Sequence, residues 1–108
     1  MPTLTLPAPV AGYFASEHDP AALVQCFAAN AVVKDDGHTY VGIDAIKAFM
    51  AAASARYNAT SVPFALQDDD GFQVVRAKVT GNFPGSPANL SYRFGLARGL
   101  IDSLEITV

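Results

Sequence analysis

A chain of 108 residues holds one domain with one core, and is small enough for contacts with a second copy to matter. Hydrophobic residues make up 51% and charged residues 16%, which excludes a disordered chain and leaves apolar surface to spare. A net charge of -3 with only seven scattered Lys and Arg argues against nucleic acid or any other polyanion as a partner.

Met1 to Leu6 alternates Thr and Leu and reads as a loose arm. The segment has no basic start and carries three prolines by Pro9, so neither a signal peptide nor a membrane span is expected, and a cytoplasmic location follows. On that reading the acceptor patterns Asn58-Ala59-Thr60 and Asn89-Leu90-Ser91 never meet a glycosylating enzyme. Pro7 and Pro9 suit a first helical turn, where a missing N–H is no loss, and a helix is predicted from about Ala8 to Glu17. Its apolar stripe, Val10, Tyr13 and Phe14, ends in the acid Glu17. His18-Asp19-Pro20 stops this helix and starts the next, with Asp19 as N-cap; Leu23, Val24 and Phe27 form its buried side and Asn30 closes it. The lone Cys26 has no partner for a disulfide or a zinc site and reads as a small buried hydrophobe.

The β-branched Val32-Val33 begins a strand that runs straight into Lys34-Asp35-Asp36-Gly37-His38. Gly37 marks a turn, and His38 to Val41 is a short return strand. After Gly42 the spacing of Ile46, Phe49, Met50, Ala53 and Tyr57 predicts a third helix, with Asp44 favourably placed in its first turn. From Thr60 the period becomes strand-like. Thr60 to Gln67 leads to the turn Asp68-Asp69-Asp70-Gly71; Phe72 to Phe83 is a long strand with Val75, Ala77 and Val79 on one face. Pro84 to Pro87 breaks it. Asn89 to Leu96 and Leu100 to Val108 follow, the last with Asp102 interrupting the face that carries Leu104 and Ile106.

Tyr13-Phe14, the start His18-Asp19-Pro20-Ala21-Ala22-Leu23, the run Phe27 to Val33 and the run Gly42 to Phe49 together resemble SnoaL-like domains of the nuclear-transport-factor-like superfamily. The resemblance spans nearly the whole chain, 1–108. It implies an α+β fold: a cone-shaped roll of three N-terminal helices on a curved antiparallel sheet, with an internal apolar pocket and a homodimer formed through the outer sheet face. The superfamily hosts isomerases, cyclases, dehydratases and non-catalytic binding domains, so the likeness is specific for fold and not for reaction. Matching the catalytic segment of ketosteroid isomerase to Asn30 through Asp35 places its general base on Asp35. Its two oxyanion donors do not match, because the corresponding positions hold Ala11 and Leu90. The chain therefore does not read as a steroid isomerase.

Asp35 has two readings: a cavity-facing carboxylate able to accept a proton, or a turn residue bonding backbone N–H groups. Asp36 must face the other way if the strand persists. His38 could shuttle protons for either carboxylate or stand exposed on the hairpin, and Tyr40 could assist. Asp35, Asp36 and His38 supply too few ligands for a metal, so neither metal nor cofactor is expected. Tyr13, Phe14, Val33, Phe49, Tyr92 and Phe94 line either the core or a ligand pocket, and Asp102 is a second carboxylate on the same side. The leading expectation is a cofactor-free enzyme in which Asp35, with His38 or Tyr40, moves a proton on a small hydrophobic substrate. The alternative is a non-catalytic domain of the same fold that binds an apolar ligand or dimerises.

Overall fold

The computed structural model describes residues 4–108, so the first part of the expected N-terminal arm lies outside the described residues. Helix α1 spans Ala8–Ala15 with proline in its first turn. It ends before Glu17 because the Ser16 N–H turns back onto the carbonyls of Gly12 (3.0 Å) and Tyr13 (3.3 Å), which satisfies the last turn. Asp19 caps α2, Pro20–Leu23, by accepting from the Ala22 N–H at 3.3 Å, as its place before a proline predicts. The expected continuation of this helix to Asn30 does not form. A 3₁₀ turn, Val24–Cys26, leads instead into strand β1, Phe27–Asp35, because Phe27 pairs with Ile101 of the last strand. Sheet pairing overrides the helical preference of Ala28-Ala29. Cys26 is half-buried rather than enclosed.

Strand β2 is His38–Val41 and helix α3 is Ile43–Tyr57; β3, Thr60–Asp69, β4, Phe72–Thr80, β5, Ala88–Ala97, and β6, Leu100–Thr107, complete the chain. Three two-residue turns set the hairpins. Asp36-Gly37, Asp70-Gly71 and Arg98-Gly99 all hold both central residues at positive φ, between 52° and 86°. That is the turn whose twist matches paired strands, and Asp-Gly is among its preferred sequences. The strand order is β2-β1-β6-β5-β4-β3, an open sheet of six strands. All neighbours are antiparallel except β1 and β6, which run parallel. The sheet is therefore mixed: α3 carries the chain across to the far edge, and the meander from β3 returns to β1 with β6 pointing the same way.

The helices cover one sheet face. Val10, Tyr13 and Leu23 from the first two helices and Ile46 and Met50 from α3 meet Val33, Val75, Ala77, Phe94 and Leu104 from the strands. Each fully buried large side chain, such as Phe94 or Leu104, contributes about 1.5–3 kcal/mol by leaving water. The end of α3 is fixed by backbone contact. Asn58 caps it at φ 44°, and the Asn82 N–H donates to the Tyr57 carbonyl at 2.8 Å. Gly81 lies between them, which is why β4 stops at Thr80 and not at Phe83. Among the described residues no helix is long and apolar enough to cross a membrane.

A Cβ at Gly81 would stand 2.8 Å from the Tyr57 carbonyl oxygen and 2.9 Å from the Ala59 Cα, backbone atoms with little room to yield. Gly81→Ala is expected to destabilise the fold by ~1–3 kcal/mol, measured as a lower midpoint of thermal or urea unfolding, whereas Gly85→Ala, with nothing near it, acts only through its positive φ.

Candidate functional site

The Asp36-Gly37 turn decides which carboxylate faces inward. Asp36 takes a central turn position at φ 52° and is exposed. Asp35 closes the ladder opposite His38, two residues beyond the fully buried Val33, and so shares the inner face of β1. It is half-buried. Burial raises the Asp35 carboxyl above its ordinary value of 3.8, the neighbouring Asp36 charge adds to the rise, and His38 opposes it. Register places Asp35 in one row across the sheet: His38, Asp35, Ile106, Tyr92, Val75 and Leu66, one from each strand.

A cleft of about 580 Å³ opens at this end of the sheet, between the β1–β2 hairpin and the end of β6. Asp35 and His38 lie on its wall with the apolar side chains of Leu90 and Ile106, and Lys34 and Glu105 stand at the rim as register partners. Among the described residues no three of His, Cys, Asp and Glu converge as metal ligands would.

Behind the cleft the interior is filled. The rings of Tyr13, Phe14, Tyr92 and Phe94 interlock at centroid separations of 5.1 to 6.3 Å, mostly edge to face. Tyr40 stacks on Phe49 of α3 at 4.2 Å and 20°, fastening the hairpin to the helix. Among the residues expected at the site, Asp35 and His38 line the cleft. Val33, Tyr13, Phe14, Tyr92 and Phe94 form the packed floor behind it, and Tyr40 and Phe49 a side buttress. Asp102 does not join them. The ladder between β5 and β6 bulges at Gly95/Leu96, and Asp102 is the extra residue, exposed, with its carboxylate over Gly95.

A second part-buried carboxylate lies just past the end of α1. Both oxygens of Glu17 accept from the Ser61 N–H, at 3.0 and 3.1 Å, tying the helix to the free edge of β3. Burial holds the Tyr13 phenol well above its ordinary range, helped by Tyr92, Glu17 and Asp35. The Tyr92 phenol is raised first by burial and then by Glu17 and Asp35, with the Ser61 hydroxyl beside it acting the other way. Both tyrosines thus remain neutral hydroxyls over any ordinary pH. The sequence contained a signal for Leu90 and Ile106, which alternate in phase with Tyr92 and Leu104. It contained none for Ser61. The arrangement as a whole supplies one half-buried carboxylate with an increased affinity for a proton, set beside an apolar wall.

The SnoaL-like domain family matches the chain over residues 10–98. No curated protein is matched. Among solved structures, a candidate polyketide cyclase from Sinorhizobium meliloti is 39% identical, with 94% of this chain and 95% of that chain covered and a TM-score of 0.90. A Catenulispora acidiphila protein of ketosteroid isomerase-like fold, in complex with trimethylamine, is 21% identical over 96% of this chain and 87% of its own, with a TM-score of 0.83. A cystatin-fold protein from Novosphingobium aromaticivorans is 16% identical over 98% and 100%, with a TM-score of 0.78. The last two share the fold, an α+β arrangement of the nuclear-transport-factor-like type.

The raised Asp35 carboxyl has a consequence for stability. Its folded form binds a proton more tightly than the unfolded chain does, so its contribution is full below the ordinary value of 3.8 and is lost as pH rises through the raised one. Asp35→Asn, a neutral isostere, is expected to raise the unfolding midpoint at neutral pH, with the gain vanishing as pH falls below 3.8. Unfolding followed by circular dichroism across pH 3 to 8 checks both the sign and the window.

Proposed function

The chain belongs to the SnoaL-like domain family, and from that premise we propose that it is a small-molecule enzyme of the isomerase or cyclase type in which Asp35 transfers the proton. The observation that carries the reading is the inward, half-buried Asp35 carboxylate on the wall of a 580 Å³ cleft, made more basic by burial. A substrate lying on Leu90 and Ile106 would present an acidic C–H beside a carbonyl to Asp35. The carboxylate takes that proton and, once protonated, returns it to another atom of the same molecule. His38, directly opposite, favours the ionised form of Asp35 and helps restore it between turnovers. Tyr40, stacked on Phe49, holds the hairpin that carries both. A hydrophobic ketone or polyketide-like chain suits the apolar wall, and the 39% identical candidate cyclase supports that class.

The closed aromatic floor favours a second reading. With Tyr13 and Tyr92 7% and 4% exposed, the interior has little room, which suits a non-catalytic module that dimerises. The same proposal includes a homodimer through the outer sheet face, where Val41 and Val62 stand 63% and 58% exposed. Light scattering is expected to give twice the monomer mass, and Val62→Glu to reduce it.

Proton abstraction can be read without knowing the natural substrate. Cyclic ketones incubated with the protein in D₂O are expected to exchange their α-hydrogens, followed by NMR. Asp35→Asn is expected to slow the enzymatic exchange by about 10²-fold or more. Equal exchange with the Asp35→Asn protein would assign the base elsewhere, and no exchange with any ketone would favour the non-catalytic module.

A further inference from the structure

Carboxylates outnumber cations around the cleft: Asp35, Asp36 and Glu105 line it against Lys34. Lys34 and Glu105 are register partners across β1 and β6, both at the cleft. What remains on the hairpin is Asp35 on the wall and Asp36 beside it at the turn, with His38 across from Asp35. Just past α1, Glu17 holds a third, part-buried carboxylate at the free edge of β3, fixed by its two bonds to the Ser61 N–H. Between Glu17 and Asp35 stand the rings of Tyr13 and Tyr92, whose π faces are negative, and whose phenols carry no charge of their own. Arg93, the one cation held rigidly on the neighbouring strand, is engaged on the outer face by Asp69 at 2.6 Å and by the Phe72 ring at 4.2 Å. Among the described residues no guanidinium or second ammonium lines the cleft.

The partly buried Leu90 and Ile106 give the cleft one low-dielectric side, which strengthens the field of the carboxylates next to it. An anion placed there would meet Asp35 and Asp36 with only Lys34 to receive it, and Lys34 already stands across from Glu105. A cation would neutralise them. The apolar strip of Leu90 and Ile106 meanwhile fits a hydrocarbon body, with the carboxylates at one end of it.

We propose that the cleft takes a small apolar molecule bearing a protonated amine, its body on Leu90 and Ile106 and its ammonium beside Asp36 and Asp35, and rejects carboxylates and phosphates of the same shape. This rests on the cleft being the working site, and it narrows the substrate to an amine-bearing compound whose reactive C–H is separate from the charged nitrogen. Burial is the main cause of the raised Asp35 carboxyl, and the Asp36 charge beside it adds to the rise, in keeping with that field.

The test uses three probes of one shape: 4-phenylbutylamine, 4-phenylbutanol and 4-phenylbutanoate, titrated into ¹⁵N-labelled protein. Amide shifts at Asp36 to Thr39 and at Leu90 are followed. The amine is expected to bind at least tenfold more tightly than the acid, with the alcohol between them. That preference is expected to shrink several-fold in 1 M salt, where screening acts within about 3 Å. It is expected to shrink also in Asp36→Asn, which keeps an Asn-Gly turn and so keeps the hairpin. Binding of the acid or the alcohol as tightly as the amine overturns the charge assignment while leaving the cleft a ligand site. No shift at these residues with any probe overturns the cleft itself, and this proposal with it. Tight amine binding unchanged by salt and by Asp36→Asn also overturns it, since the attraction then has another source.

Discussion

The two-residue turn at Asp36-Gly37 is the constraint from which the site follows. A strand alternates its side chains, so a slip of one residue would send Asp35 to solvent and Lys34 into the core. With both central residues at positive φ, the turn permits one register, Asp35 opposite His38, and the buried Val33 and stacked Tyr40 lock it from behind. Parallel pairing with β6 then carries the alignment to Ile106, and β5 carries it to Tyr92. The position of one carboxylate is thus set by the pairing of four strands, not by its own contacts.

Behind that row the aromatic cluster performs two tasks. It fills the space between α1 and the sheet, which fixes the helix, and it holds Tyr13 and Tyr92 near enough to Asp35 to feel its charge. A half-buried carboxylate on a cleft wall ionises with more difficulty than a free one, yet remains able to exchange protons with a ligand. Glu17 contributes from the opposite direction: by accepting the Ser61 N–H it satisfies a donor on the free edge of β3, and an edge with fewer open donors is a poorer template for another strand.

Much of this was legible in the residues themselves. The Asp-Gly and Asp19-Pro20 signals placed turns and caps where they occur, and the alternation of Val75, Ala77 and Val79 identified the inner face of β4. The spacing of Ile46 and Met50 did the same for α3. What was not legible depends on partners distant in the chain. Phe27 to Asn30 reads as helix until Ile101 is known to lie beside it, and the parallel direction of that pair has no local sign. Asp102 shares phase with Leu104 and Ile106 by counting, and only the bulge at Gly95/Leu96 sends it outward. Glu17 looked like the polar end of a helical stripe; its bond to Ser61 spans 44 residues. The tyrosines were assigned to pocket or core without a means of choosing, because density of packing is a property of the assembled layers.

The parallel junction of β1 and β6 also dictates how the chain must assemble. The first strand has its hairpin partner at once, but its other edge stays open until the last segment arrives, so closure waits on a contact between opposite ends of the sequence. Such distant pairings are slow, since loop entropy is lost before they give anything back. During synthesis the β1–β2 hairpin and α3 would leave the ribosome with an unpaired flank, and the catalytic carboxylate proposed here would acquire its environment only in the final step of folding.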